Sequence, residues 1–176
     1  AYGGAPVAEP VEATRQSTGL DALIDNRIMA TAERDLLNFI LTYGTTKLEF
    51  QSDSAFYSGS DEDALTVFDF IGQALEGDNS QFANSVFRKV YEAYSKDYYE
   101  GYSQDEIVKR LMDGEDRDMA YVAAQLSTDE RYDLSVKNLR QSMMSKGSWL
   151  TIYVPKAILV YQQSRLEDKE NELKER

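Results

Sequence analysis

Residues 155–176, PKAILVYQQSRLEDKENELKER, decide the fold. Pro155 has the fixed φ that suits a first helical turn, and a charged, helix-forming stretch follows it. Eight of the ten residues Glu167–Arg176 are charged. Ile158, Leu159, Tyr161, Leu166 and Leu173 lie among these polar neighbours. From Leu159 the leucines step by seven, through Leu166 to Leu173, the spacing of a narrow coiled-coil seam. A stripe this narrow does not sustain a helix on its own, because helices draw most of their stability from packing. The segment therefore needs a surface, either its own domain or another protein.

Working back from this tail, Lys146-Gly147-Ser148-Trp149 reads as a break, and residues 145–154 as a link to a last helix that starts near Pro155. Upstream, residues 20–145 read as a helical bundle. Leu20, Leu23, Ile24 and Ile28 form one stripe, and Leu36, Leu37, Ile40 and Leu41 form another. Thr31 offers an N-cap, with Glu33 and Asp35 in the first turn, and Gly44 offers a stop after Tyr43. Thr45–Phe50 alternates as an extended segment does, and residues 51–60 are loop-like. Ser60 is expected to cap the next helix, with Asp61, Glu62 and Asp63 in its first turn, running to about Gly77. Phe82–Tyr98 is helical, with Phe82, Val86, Phe87, Val90, Tyr91 and Tyr94 on one face. Ser103 and Glu106 form a capping box for Gln104–Met112. Helices over Asp118–Leu126 and Tyr132–Met144 follow. The expected fold is all-α, with about six to eight helices. Residues 1–19, which hold Gly3-Gly4, Pro6 and Pro10, read as a flexible linker.

Composition narrows the chemistry. The 176 residues contain no cysteine and no histidine. This excludes a disulfide frame, a thiolate or imidazole metal site and a Ser-His-Asp triad. The net charge of −12 repels nucleic-acid phosphates and anionic lipid, so neither is an expected partner. No apolar run is long enough to span a bilayer, and no leader pattern opens the chain. The chain reads as a piece of a longer, cytoplasmic protein.

Three motifs invite a functional reading. Asp61-Glu62-Asp63 could offer carboxylates to Mg²⁺ or Ca²⁺, but consecutive acids point in different directions, and a helix N-terminus accounts for them. Asp113–Asp118 lacks the register of a calcium loop. Tyr91, Tyr94, Tyr98, Tyr99 and Tyr102 fall within twelve residues. Core packing explains such a cluster, a protein interface would also use it, and the surrounding acidity opposes base stacking. No phosphate-binding glycine loop is present. No cofactor, metal or small-molecule substrate is expected.

Several stretches together resemble a known family. They are Glu33-Arg34-Asp35-Leu36-Leu37-Asn38-Phe39-Ile40-Leu41 with Tyr43-Gly44, then Val67-Phe68-Asp69-Phe70-Ile71 with Leu75-Glu76. They continue with Phe82-Ala83-Asn84-Ser85-Val86-Phe87-Arg88-Lys89-Val90-Tyr91 and Val154-Pro155-Lys156-Ala157-Ile158-Leu159. From Thr31 to Arg176 the chain resembles the C-terminal, helicase-binding domain of bacterial DNA primase (DnaG type). The resemblance implies a helical-bundle subdomain, residues 20–145, followed by a C-terminal helical hairpin with a long final helix, residues 146–176, in a non-catalytic domain that docks on the N-terminal domain of the replicative helicase. The N-terminal domain of that helicase has a similar fold and is the alternative, as is another helical adaptor. The resemblance transfers no contact residues. Amphipathic exposure on the last arm selects Trp149, Tyr153, Ile158, Tyr161 and Leu166 as the expected partner-binding set.

Overall fold

Leu36, Leu37, Asn38, Phe39, Ile40 and Leu41 are consecutive and all buried, so the helix that carries them is enclosed on every side. In the computed structural model, which describes Gly3 and residues 19–127 and 146–176, this helix is the axis of the fold. It is α1, Arg27–Tyr43, and it is preceded by a 3₁₀ turn, Gly19–Leu23. Around it are α2 (Val67–Gly77), α3 (Ser85–Tyr99), α4 (Gln104–Met112), α5 (Arg117–Ser127) and α6 (Lys146–Lys174). The longest run of packing is between α1 and α6. The architecture is all-α with a long final helix, and the described residues contain no strand, only an isolated bridge between Lys47 and Thr66.

The helix starts are fixed by polar side chains. Asn26 caps α1, its side-chain oxygen accepting from the Met29 amide at 3.0 Å. Thr31, the expected cap, lies inside the helix. Thr66 caps α2 by accepting from the Asp69 amide at 3.1 Å. Ser60 forms only a local turn, accepting from the Asp63 amide at 3.2 Å and donating to its carboxylate at 2.7 Å. The chain cannot become helical straight after Ser60, because Leu65 gives its carbonyl to Leu48 at 2.8 Å. The capping box of Ser103 and Glu106 forms as expected. Its hydrogen bonds with Ser103 hold the Glu106 carboxyl below the usual range.

Gly44 follows α1, but not as a left-handed stop. Its φ is −52°, and a side chain there would collide with the Tyr94 hydroxyl and the Ile40 carbonyl. Glycine is required by close approach. The Tyr94 hydroxyl donates to the Gln104 side-chain oxygen. The Gln104 amide then donates to the carbonyls of Ile40 at 3.0 Å and Leu41 at 2.7 Å, satisfying the end of α1. Asn38, buried in the same helix, donates to the Leu126 carbonyl at the end of α5 at 2.6 Å.

Residues 146–174 form a single helix of 29 residues, about 44 Å long at 1.5 Å per residue. The expected break at Lys146–Trp149 is absent, and Pro155 sits inside the helix instead of opening it. Burial explains this. Trp149, Leu150 and Val154 recur at helical spacing and are all within 1% of full burial, and that packing outweighs two local helix breakers. The expected helix over 132–144 lies outside the described residues, as does the lead-in save Gly3 and Gly19.

Candidate partner interface

The two sides of α6 differ. Trp149, Leu150, Val154, Ile158 and Tyr161 are buried, chiefly against α1. The Trp149 ring meets Tyr43 edge-on at 5.2 Å and lies 6.3 Å from Phe39. Its indole N–H has no acceptor among the described residues. The Tyr161 hydroxyl donates to the Gln81 carbonyl at 3.1 Å, and burial raises the phenol's pKa. Further along, Gln162 donates to Asp78 at 2.7 Å, and Asp168 accepts from the Asn26 amide group at 3.0 Å. These bonds hold the helix against the domain as far as Asp168.

The opposite side carries Ile152, Leu159, Leu166 and Leu173, exposed by 50%, 65%, 70% and 70%. Seven residues fall only about 20° short of two full turns, so these four side chains lie along one line. Positions 150, 154, 158 and 161 project from the other half of the helix. Val160 is also exposed, about 100° round the helix from Leu159.

The expected partner-binding set is therefore corrected. Trp149, Ile158 and Tyr161 are 1%, 8% and 1% exposed and belong to the domain's own core. Tyr153 is half-buried, with the Lys156 ammonium 5.9 Å from its ring centre. Leu166 is exposed. Ile152, Leu159 and Leu173 complete the line. The seven-residue step points to all three, but the supposed break at 146–149 and the supposed helix start at Pro155 hide Ile152.

Much of the other sequence motifs is taken up in structural contacts. Tyr94 is fully buried, and Tyr98 donates to Asp69 at 2.9 Å. Tyr102 lies under the Arg110 guanidinium at 4.3 Å, and Arg110 pairs with Asp97 at 2.9 Å. Asp116 caps α5, accepting from the amides of Asp118 at 3.0 Å and Met119 at 3.1 Å. Among the described residues no group of three acids is placed to hold a metal ion.

A buried carboxylate, Glu33, was read from the sequence only as a first-turn acid. It accepts from the amides of Ala83 at 2.7 Å and Asn84 at 2.9 Å, and from the Asn84 side chain at 2.8 Å. The Asn84 oxygen in turn accepts from the amides of Asp25 at 3.0 Å and Asn26 at 2.7 Å. Asp25 accepts from the Ser85 hydroxyl at 2.7 Å. The starts of α1 and α3 thus cap each other. Burial raises the Glu33 pKa despite its three donors, whereas the Ser85 hydrogen bond lowers that of Asp25. Both carboxylates are occupied by these structural bonds, so neither is a candidate for catalysis.

The family described as "Domain of unknown function (DUF8430)" matches residues 21–176. The chain belongs to this family. No curated protein and no solved structure matches the chain. The DUF8430 match takes in every helix described above, from α1 to α6. No helix of the described residues is long and apolar enough to cross a membrane.

Proposed function

We propose that this DUF8430 domain is a non-catalytic docking module. In this reading α6 offers the line Ile152, Leu159, Leu166 and Leu173 to an apolar helical surface on another protein. The partner is the N-terminal domain of the replicative helicase, and the parent protein is a cytoplasmic bacterial DNA primase whose primer synthesis is thereby coupled to fork unwinding. The observation that carries the proposal is the exposed leucine line, which the domain's own core leaves uncovered. Helix-in-groove recognition uses apolar anchors repeated along one helix face. The primase assignment rests on the resemblance of residues 31–176, and the absence of imidazole and thiol from the chain fits a role without chemistry.

The test is calorimetry of the domain against the cognate helicase, with the double variant Leu159→Ala/Leu166→Ala. Both side chains are exposed, so the variant keeps its fold. Binding weakened roughly tenfold or more is expected for two central anchors. Unchanged affinity would move the interface off α6, and no binding by the unaltered domain would end the primase reading.

A further inference from the structure

A second surface is built by α2, α3 and the link between them. Between α2 and α3 is a groove of about 440 Å³, lined by Phe68, Asp69, Glu76, Tyr91, Glu92 and Tyr99 among others. That volume suits a side chain or a small ligand. Its walls are aromatic. The Phe68 ring is 5.6 Å from that of Tyr91 and 6.0 Å from that of Tyr99, which is 75% exposed. Gly72 lies on the α2 side, where a Cβ would stand 3.2 Å from the Tyr91 hydroxyl. A glycine in mid-helix costs about 0.5–1 kcal/mol relative to alanine. Here its missing side chain leaves room for the Tyr91 phenol. That hydroxyl makes no hydrogen bond among the described residues.

The groove is also negative. Glu76 and Glu92 are exposed and pair with no cation among the described residues. Asp69, which also lines the groove, accepts from the Tyr98 hydroxyl at 2.9 Å. Arg88, the lining cation, is turned to the main chain, donating to the carbonyls of Phe82 at 2.8 Å and Ala83 at 3.2 Å. The Tyr91 phenol is pushed up to about 12, first by burial and then by Tyr99, Glu76 and Asp69.

We infer that this groove binds an arginine side chain from a linear basic segment of a partner protein. The guanidinium would stack on the Tyr91 and Tyr99 rings and donate to Glu76 and Glu92. Aromatic faces attract cations, and a planar guanidinium both stacks and pairs with carboxylates, which favours arginine over lysine. No residue of α6 lines the site, and it does not depend on the helicase reading.

The test is an amide NMR titration of the full chain with three capped tripeptides, Gly-Arg-Gly, Gly-Lys-Gly and Gly-citrulline-Gly. The arginine peptide should shift the amides of Gly72, Tyr91, Glu92 and Tyr99 and saturate in the millimolar range. The lysine peptide should bind more weakly and the citrulline peptide, which is neutral, should leave the spectrum unchanged. Tyr99→Ala and Glu76→Gln/Glu92→Gln are surface changes, and each should weaken arginine binding roughly fivefold, a loss of about 1 kcal/mol. Shifts spread over the acidic surface, equal binding of lysine or citrulline, full affinity in either variant, or no saturation would each overturn the assignment.

Discussion

Both faces of α6 present apolar side chains, yet Trp149, Leu150, Val154, Ile158 and Tyr161 are buried while Ile152, Leu159, Leu166 and Leu173 are exposed. Apolar content does not separate the two sets. What separates them is the opposing surface. The buried set lies against α1, whose residues 36–41 are all buried. The exposed set is open to solvent over half or more of its surface. Its seven-residue step is also the spacing of a seam between helices, a step the buried set makes once, from Val154 to Tyr161. The difference shows that one helix can serve two surfaces when its apolar stripes lie on different sides of it.

The strongest way to break this comparison is at Trp149. Trp149→Ala should destabilise the domain by about 3–5 kcal/mol, measured by denaturant unfolding. A loss under about 1 kcal/mol would mean that α6 is not docked through this ring.

Next in size is Glu33, which holds α1 to the start of α3. Glu33→Ala strands two buried amides and should cost about 2–3 kcal/mol. The charge adds a signature in pH. The pKa of Glu33 is higher in the folded state than its usual 4.5, so the folded state binds the proton more tightly than the unfolded one. Its contribution is fully present below the unfolded value and is lost as pH rises through the folded value. The stability gap between the unaltered chain and Glu33→Gln should therefore shift against the unaltered chain as pH rises from about 4.5. A gap independent of pH would show that Glu33 titrates normally.

Asp168→Ala removes the last polar tether of α6, its hydrogen bond with Asn26, and should cost about 0.5–1.5 kcal/mol. The smallest effect belongs to the exposed face. Leu166→Ala should change stability by no more than about 0.5 kcal/mol. A loss as large as that at Trp149 would show that the leucine line is already covered within the domain, and the contrast between the two faces would collapse.

What the sequence revealed depended on distance along the chain. The capping box of Ser103 and Glu106 was legible because both partners lie within one helical turn. The seven-residue step was legible because it is a period. Three features were not. The start of α6 was hidden because Gly147 and Pro155 are local breakers, and the packing that overrides them comes from α1, more than a hundred residues away. The cap at Asn26 was passed over for Thr31, because the choice rests on Asn84 and Asp168, which no local window contains. Trp149, Ile158 and Tyr161 were assigned to a partner because amphipathicity says which side of a helix is apolar but not whose surface covers it.

The reciprocal caps at Asp25, Asn26, Glu33 and Asn84 have a consequence for how the domain opens. Asn84, at the start of α3, accepts from the amides of Asp25 and Asn26, and Glu33 of α1 accepts from those of Ala83 and Asn84, so fraying at one end leaves donors at the other without acceptors. The amides of Asn26, Ala83 and Asn84 should therefore exchange with deuterium at a common rate, as one cooperative unit, although more than fifty residues of chain separate them.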